Sequence, residues 1–266
     1  NIVKPDIGLI TNVSNAHIKY FNSIKAIKNE KIELIKNLPI AGTAIINTDS
    51  ISTNSISINA KILTCGFEGK PDFKGSIIDQ KNISINGHRI KLPYSGFACA
   101  QNVLIAFSTA KLFGLKNNEI SDRVLSFKAL SGRGKVSTIN NFTIIDDTYN
   151  ANPNSIKMGL QRLSNWHAKN KIAILGDMYE LGSKKEKLHR EIGLFISKLD
   201  IQSALLIGES MKFAFVELKS TKINSHWFST KKDLLNFITH SFKEKAVLYF
   251  KGSRGMQMEK IIEELK

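Results

Sequence analysis

The chain has 266 residues, 42% of them hydrophobic, which is enough to bury the cores of two ordinary domains. Its formal net charge is +15, but the lysines are spread along the whole chain without an arginine-rich run, so we expect an anionic ligand rather than nucleic acid. The apolar runs fall short of a membrane span, and the two widely separated cysteines exclude a disulfide framework and are typical of a reducing compartment.

The first half of the chain predicts a mixed α/β domain. Apolar runs alternate with amphipathic stretches, which favours parallel strands joined by helices. We expect strands at 6–13 and 43–47, and helices at 23–38, 101–115 and 118–127. We also expect an antiparallel extension made of short strands at 61–67, 76–78, 83–85 and 89–92.

A glycine-containing turn at 131–134 marks the predicted domain boundary, with one domain at 1–131 and a second at 132–266. Beyond this turn the alternation is regular. We predict helices at 155–166, 184–199, 231–242 and 256–265, and strands at 142–145, 172–175, 204–207, 225–228 and 247–250. This order indicates a Rossmann-like α/β domain.

A polar loop follows the predicted strand at 142–145. Residues 146–155 are Asp-Asp-Thr-Tyr-Asn-Ala-Asn-Pro-Asn-Ser, with Asn154 or Ser155 as the expected N-cap of the next helix. Open α/β sheets bind ligands at the carboxyl ends of their strands, so these acids and amides are candidate ligand contacts. A tight turn capped by Asx side chains explains the loop equally well.

Lys31 interrupts the apolar stripe of the first predicted helix. The stripe contains Ile24, Ile27, Ile35 and Leu38, and Lys31 lies almost two turns after Ile24 on the same face. The side chain would either extend to water or stay among apolar neighbours, where burial depresses the pKa of the amine.

A basic, glycine-containing turn connects the last predicted strand to the last helix. Residues 251–255 are Lys-Gly-Ser-Arg-Gly. Glycines allow close backbone approach, and a helix N-terminus presents free N–H groups to an anion. Lys251 and Arg254 add charge, so the turn is a candidate carboxylate site; a basic turn without a ligand is the alternative.

Several patches in chain order resemble one family. Residues 144–153 end in Tyr-Asn-Ala-Asn-Pro, residues 173–182 are Ala-Ile-Leu-Gly-Asp-Met-Tyr-Glu-Leu-Gly, and residues 250–256 are Phe-Lys-Gly-Ser-Arg-Gly-Met. Together with residues 10–17 and 30–33, they are similar to the Mur ligases, and the Tyr-Asn-Ala-Asn-Pro form resembles the MurF branch. The resemblance extends over essentially the whole chain.

This resemblance implies the remainder of a P-loop-type Mur ligase central domain, followed by the family's Rossmann-like C-terminal domain. The family's phosphate loop, G-x-x-x-x-G-K-[ST], occurs nowhere in the 266 residues. We therefore expect a chain truncated at its N-terminus, without the domain that binds the UDP-sugar in the family. Such a chain would complete no reaction alone, and its missing N-terminal half would be a partner.

The resemblance also assigns the contacts to ATP. Asp147 would hold the ribose, Tyr149 and Asn152 would shape the same surface, Arg133 would reach the phosphates, and Asn102 would lie at the adenine. The family tends to have His-Asn shortly before the position of Asn102. This chain has Ala98 and Cys99 there instead, which removes two polar contacts.

A Mg²⁺ site is implied at His17 and at Lys31, the latter carbamylated by carbon dioxide and thereby turned into an oxygen ligand. Asn47 and Asp49 lie near the same predicted sheet edge, although turn capping explains them equally well. For three further residues after the strand at 172–175, a structural network is as plausible as substrate contact: Asp177, Glu180 and His189.

The implied reaction is ATP-dependent addition of D-alanyl-D-alanine to UDP-N-acetylmuramoyl-tripeptide through an acyl phosphate, in peptidoglycan precursor synthesis. Lys251, Ser253 and Arg254 would face the carboxylate of the incoming dipeptide. We expect a cytoplasmic monomer. The alternatives are another ligase of this superfamily, such as a folylpolyglutamate synthetase, and a non-catalytic remnant that only binds.

Overall fold

The computed structural model describes residues 4–14, 20–21 and 23–266, and the chain divides into two compact units, Asn1–Phe127 and Lys128–Lys266. Within the described residues, each unit is built around one six-stranded sheet. No helix in this part of the chain is long and apolar enough to cross a lipid bilayer.

The sheet of the first unit has its strands in chain order. Its parallel strands are β1 (Ile7–Ile10), β2 (Thr43–Asn47), β3 (Lys61–Gly66) and β4 (Phe73–Asp79). An antiparallel extension follows with β5 (Asn82–Ile85) and β6 (His88–Lys91), so β3 was wrongly included in this extension. The helices are α1 (Ile24–Lys36), α2 (Phe97–Leu112) and α3 (Asn117–Ser126).

α1 begins after Ser23, whose hydroxyl accepts a hydrogen bond from Ala26 N at 3.1 Å. Ile32 and Ile35 of this helix are buried in the apolar core of the first unit. Ile24 is 48% exposed, so the predicted apolar stripe is wrong at its first position. Ile24 has the right angular position, but angular position alone does not bury the first residue of a helix.

The second unit alternates strands and helices. Its elements are β7 (Lys135–Ile139), β8 (Phe142–Asp146), α4 (Pro153–Ser164), β9 (Lys171–Gly176), α5 (Lys185–Ile196), β10 (Ser203–Ile207), α6 (Met211–Leu218), β11 (Asn224–Phe228), α7 (Lys231–Ser241), β12 (Ala246–Lys251) and α8 (Glu259–Glu264). The sheet order is β11-β10-β9-β12-β8-β7, and only β7 pairs antiparallel. The predicted α/β fold with mainly parallel sheets is confirmed.

Two elements of the second unit were not predicted, β7 and α6. β7 has the sequence Lys-Val-Ser-Thr-Ile and is largely exposed at the sheet edge, so it lacks the apolar run that marks a strand. α6 has eight residues that are nearly all apolar, Met-Lys-Phe-Ala-Phe-Val-Glu-Leu. Because most of its positions are apolar, this short segment shows no 3.6-residue hydrophobic periodicity from which a helix could be predicted.

β12 lies between β8 and β9, although it is the last strand of the unit in sequence. All of its residues are buried. Leu248 and Phe250 face a core that also contains Leu234 of α7 and Ile261 of α8. Because β8, β9 and β12 are parallel neighbours, the loops after these strands meet at one edge of the sheet.

Tyr249, also in β12, packs against α4. A Cβ atom added at Gly159 would lie 1.8 Å from the Tyr249 hydroxyl oxygen and 2.3 Å from the ring carbon that carries it. Tyr249 is 1% exposed. Because protein interiors are close-packed, the tyrosine ring fits here only if the helix position is a glycine.

We predict that Gly159→Ala lowers the free energy of unfolding by about 1–3 kcal/mol, the usual cost of an overpacked core. Urea unfolding measures this change. In a Tyr249→Leu background, the same substitution should have no cost, because leucine does not reach the added methyl and alanine favours the helix. An equal loss in both backgrounds would contradict the steric explanation.

Candidate functional site

Hydrogen bonds join the predicted boundary turn to the loop after β8. Gly132 N donates to Asp146 Oδ2 at 2.7 Å, and Gly134 N donates to Asp146 O at 2.7 Å. Gly132 has a φ of +74°, and a Cβ there would lie 3.0 Å from Tyr149 N. These contacts bring Arg133 over Tyr149, with the guanidinium carbon 3.9 Å from the ring centroid. Both side chains are exposed, so two of the predicted nucleotide contacts form one surface.

Asn152 caps α4. Its side-chain oxygen accepts a hydrogen bond from Ser155 N at 2.9 Å, and the Ser155 hydroxyl accepts one from Asn152 N at 3.1 Å. The helix therefore begins at Pro153, and the predicted caps at Asn154 and Ser155 are wrong because both lie inside it. Asn152 therefore has the role that the capped-turn interpretation of the loop predicted, which is to cap the helix.

Asp147 and Lys251, predicted from the sequence to contact different ligands, form one ion pair. Lys251 Nζ lies 2.6 Å from Asp147 Oδ2, and the Tyr249 hydroxyl donates to the same oxygen at 3.0 Å. The Lys251 side chain is 4% exposed and the Asp147 side chain 23%. The charge of Lys251 is thus neutralised inside the protein, whereas Asp147 still reaches the surface.

Tyr249 is the site residue that the sequence analysis missed. Burial, reinforced by the Asp147 charge, raises the pKa of Tyr249 well above its ordinary value, so its hydroxyl keeps the proton that it donates. A tyrosine in the otherwise apolar segment Ala-Val-Leu-Tyr-Phe was the available signal, because a buried tyrosine hydroxyl needs a partner.

The turn after β12 contacts the loop after β9. Ser253 Oγ accepts a hydrogen bond from Tyr179 N at 2.7 Å, and Ser253 N donates to Asp177 O at 3.0 Å. The Arg254 side chain is 64% exposed, with Nη1 2.9 Å from Glu259 Oε1. Arg254 therefore reaches the surface and is accessible to a ligand, although its partner Glu259 is only 26% exposed.

The helix expected to start directly after this turn is shorter than predicted. Residues Arg254–Met256 form a 3-10 turn, and α8 begins only at Glu259. Gln257 between them has a left-handed φ of +47°, which interrupts a continuous helix from 256. The free N–H groups of a long helix are therefore absent from this turn in the described structure, and Arg254 is its exposed cation.

Asp177 holds the start of α6. Its carboxylate accepts hydrogen bonds from Met211 N at 2.8 Å and from Ser210 N at 3.2 Å. A Cβ at Gly208, where φ is +109°, would lie 2.5 Å from this carboxylate. The Asp177 side chain is buried. Of the two roles that the sequence allowed, a structural network and substrate contact, its contacts are those of the structural network.

His189 is fully buried and belongs to a similar network. Its Nε2 accepts a hydrogen bond from Met178 N at 3.1 Å, so Nδ1, 2.7 Å from Lys185 O, carries the proton of the neutral ring. Burial lowers the pKa of His189, against a smaller opposing effect of its hydrogen bond to Lys185. Glu180, with a φ of +61°, lies in the loop between β9 and α5.

In the first unit, Lys31 and Asn47 hold the segment that follows β1. Lys31 Nζ donates to Asn12 O at 2.6 Å, and Asn47 Nδ2 donates to Thr11 O at 2.8 Å. Burial lowers the pKa of Lys31. Lys31 thus lies at the carboxyl end of β1, whereas His17 lies outside the described residues.

Asp49 caps the turn after β3. Its carboxylate accepts hydrogen bonds from Phe67 N and Glu68 N, each at 2.9 Å. The capping interpretation of Asp49 is therefore the one observed. Across residues 4–14, 20–21 and 23–266, no group of three or more His, Cys, Asp or Glu side chains is arranged to hold a metal ion.

α2 carries Asn102 on its exposed side. The helix begins at Phe97, four residues before the predicted start, and the Phe97 ring lies 5.1 Å from the Phe67 ring. The two rings line an open groove of about 490 Å³. Cys99 is buried in the core of this unit, and Ala98 is exposed but apolar, so neither supplies a polar contact at the surface.

Two family models match the chain in order. The first, described as the Mur ligase middle domain, matches residues 1–110, and the second, described as the Mur ligase glutamate ligase domain, matches residues 132–254. These regions correspond closely to the two compact units. Together they leave residues 111–131, which include α3, and the last twelve residues unmatched.

Several similar proteins are D-alanyl-D-alanine ligases or MurF enzymes. The UDP-N-acetylmuramoyl-tripeptide–D-alanyl-D-alanine ligase of Rickettsia prowazekii is 32% identical over 98% of this chain and 61% of its own length. MurF from Acinetobacter baumannii has a TM-score of 0.87 at 25% identity, over 99% of this chain and 60% of that one. MurF from Thermotoga maritima, solved in complex with ADP, has a TM-score of 0.85 at 22% identity, over 99% and 62%. The chain thus spans about 60% of the length of these relatives.

The buried neutral His189 predicts a pH dependence of stability. Its pKa in the folded state is lower than the value of about 6.5 in the unfolded chain, so the unfolded chain binds the proton first. The contribution of neutral His189 to the free energy of unfolding is therefore complete above about pH 6.5 and is lost as the pH falls toward the folded-state pKa. Urea unfolding at about pH 7.5 and 5.5 should show a smaller loss for His189→Gln than for the wild type.

The matched control is His167→Gln, which changes an exposed histidine and should leave the pH-dependent loss intact. His226, whose pKa is also lowered by burial, accounts for a remaining dependence in every variant. If His189→Gln and the wild type lose the same free energy of unfolding on acidification, the protonation argument is wrong.

Proposed function

The chain belongs to the Mur ligase family, and we propose that it forms the middle and C-terminal parts of an ATP-dependent ligase that adds D-alanyl-D-alanine to UDP-N-acetylmuramoyl-tripeptide. The observation that carries this proposal is the similarity to D-alanyl-D-alanine ligases over nearly the whole chain. The reaction would take place in the cytoplasm, with the protein as a monomer. Other superfamily members, such as folylpolyglutamate synthase from Thermotoga maritima at 16% identity, are similar in fold only.

In the second unit, we assign the ATP side to Asp147, Tyr149 and Arg133. A carboxylate accepts hydrogen bonds from ribose hydroxyls, and a planar guanidinium bridges phosphate oxygens. The stacking of Arg133 on Tyr149 supports this assignment, because it holds a cation and an aromatic face on one exposed surface. Asn152 contributes through its cap, which fixes the start of α4.

For the dipeptide, we assign the turn after β12. Arg254 is its exposed cation, whereas Ser253 is 3% exposed and accepts a hydrogen bond from Tyr179 N, which fixes the turn. Lys251 has a different role from the one expected, because its ammonium is buried against Asp147. It supports the edge of the sheet and leaves the dipeptide carboxylate to Arg254, on a turn that Ser253 holds in place.

Lys31 is our proposed carbamylation site. An amine attacks carbon dioxide only in its neutral form, and the lowered pKa of Lys31 increases the neutral fraction. As an ammonium, Lys31 donates to Asn12 O and cannot ligate a cation, so it fits Mg²⁺ only after modification. Bound there with His17, Mg²⁺ would neutralise phosphate charge.

Asn102 remains our proposed contact to the adenine ring in the first unit.

In the proposed reaction, an oxygen of the tripeptide carboxylate attacks the γ-phosphorus, and the bond to the β-phosphate oxygen breaks to release ADP. The dipeptide amine then adds to the acyl carbon, loses a proton, and phosphate leaves. Activation is needed because a carboxylate is a poor electrophile. These 266 residues contain no phosphate loop, so we propose that they do not complete the phosphoryl transfer alone.

We predict a carbamate on Lys31 when the chain is kept in ¹³C-labelled bicarbonate. A labelled carbonyl signal should appear in the ¹³C NMR spectrum, increase between about pH 7 and 9 as the amine deprotonates, and vanish in Lys31→Arg. Lys36→Arg is the matched control, because Lys36 lies on the same helix in an exposed pair with Glu33. A signal that survives in Lys31→Arg, or no signal in the wild type, would contradict the assignment.

We predict that Arg254→Gln weakens binding of D-alanyl-D-alanine about tenfold, because it removes a charge-assisted hydrogen bond to the carboxylate. Isothermal titration of the chain measures this change, with L-alanyl-L-alanine as the control ligand. Arg123→Gln is the control variant, since Arg123 is an exposed arginine of the first unit. If Arg254→Gln reduces ADP affinity and leaves dipeptide affinity unchanged, the turn belongs to the nucleotide.

A further inference from the structure

Tyr249 is an unusual residue for its position. It occupies the middle of β12, a strand with neighbours on both sides, and it is 1% exposed. A tyrosine hydroxyl buried without a partner costs about as much as a lost hydrogen bond, so strand interiors favour apolar residues. Its hydroxyl donates to Asp147 Oδ2 at 3.0 Å, and this contact satisfies it.

The surrounding structure is shaped to admit this hydroxyl. Gly159 of α4 lies where any side chain would overlap the end of the tyrosine ring, since its Cβ would be 1.8 Å from the hydroxyl oxygen. A glycine inside a helix costs roughly 0.5–1 kcal/mol relative to alanine. The chain thus combines a buried polar group with a weakened helix position, and both are needed for one contact to Asp147.

The two donors behind Asp147 reach the same oxygen. Lys251 Nζ lies 2.6 Å and the Tyr249 hydroxyl 3.0 Å from Oδ2. Among the described residues, Oδ1 of Asp147 receives no hydrogen bond, and the side chain is 23% exposed. One carboxylate oxygen is therefore fixed from behind, and the other is left to accept a hydrogen bond from outside.

The kinds of donor matter as well as their geometry. Lys251 neutralises the carboxylate, so the pair as a whole would not repel a polyphosphate bound nearby. A second cation would make the pair positive and favour an anion over a neutral hydroxyl. Tyr249 instead adds a donor without charge and fixes the carboxylate plane, because two hydrogen bonds restrain its rotation.

We propose that Tyr249 is a positioning residue, which orients Asp147 so that its free oxygen accepts a hydrogen bond from a ribose hydroxyl of the nucleotide. Gly159 is the helix position that makes room for it. This inference rests on the proposed nucleotide role of Asp147 and adds to it a residue that touches no ligand. It predicts that the tyrosine hydroxyl influences the recognition of ribose hydroxyls specifically.

The test measures the affinity of the chain for ADP and for 2′,3′-dideoxy-ADP, which lacks the ribose hydroxyls, by isothermal titration. Tyr249→Phe removes one oxygen and keeps the ring in place. We expect the preference for ADP over dideoxy-ADP to fall about three- to tenfold, the usual effect of one hydrogen bond, while dideoxy-ADP binds as in the wild type. In an Asp147→Ala background, Tyr249→Phe should cause no further change.

The control variant is Tyr94→Phe, a partly buried tyrosine that packs on the core of the first unit. Equal losses for ADP and dideoxy-ADP in Tyr249→Phe, or no loss for either, would overturn the inference and leave Tyr249 as a structural residue. A wild-type chain that binds both nucleotides equally well, or neither, would instead refute the nucleotide role of Asp147 itself. The two failures are therefore distinguishable.

Discussion

In the second unit, the buried Lys251 forms an ion pair with the partly exposed Asp147 where the central strands end. Moving a lysine and a carboxylate out of water costs several kcal/mol for each ion, and such a pair persists only if its other hydrogen-bonding groups are also satisfied. The Tyr249 hydroxyl and the Asp147 carbonyl meet part of this need. The pair forms only when β8 and β12 are neighbours in one register, with Phe250 opposite Asp146. A one-residue shift would leave the buried Lys251 ammonium without this partner.

The residues at this edge of the sheet are of two kinds. Asp177 and His189 are buried and bonded to the backbone, so their contacts fix loops and leave no group for a ligand. Tyr149 and Arg254 are exposed, so their side chains are accessible to a ligand. A rigid layer thus supports an adaptable one. This arrangement is consistent with the anionic ligands proposed for this edge.

The sequence predicted the strands and helices that have clear periods, and with them the edge where the polar loops meet. It also singled out Asp147 and Lys251. It could not reveal that these two side chains are partners, because their contact spans about a hundred residues and depends on the strand order. The placement of β12 between β8 and β9 has no local signal. Capping by Asn152, in contrast, was within reach, since Asn before Pro is a common helix start.

The same strand order has a consequence for synthesis on the ribosome. β8 and β9 are translated long before β12, and until β12 arrives each of them has an unpaired edge where the sheet should continue. Pairing across so many residues is entropically costly and slow to form. The sheet of the second unit therefore cannot be completed at its centre until β12 has been translated.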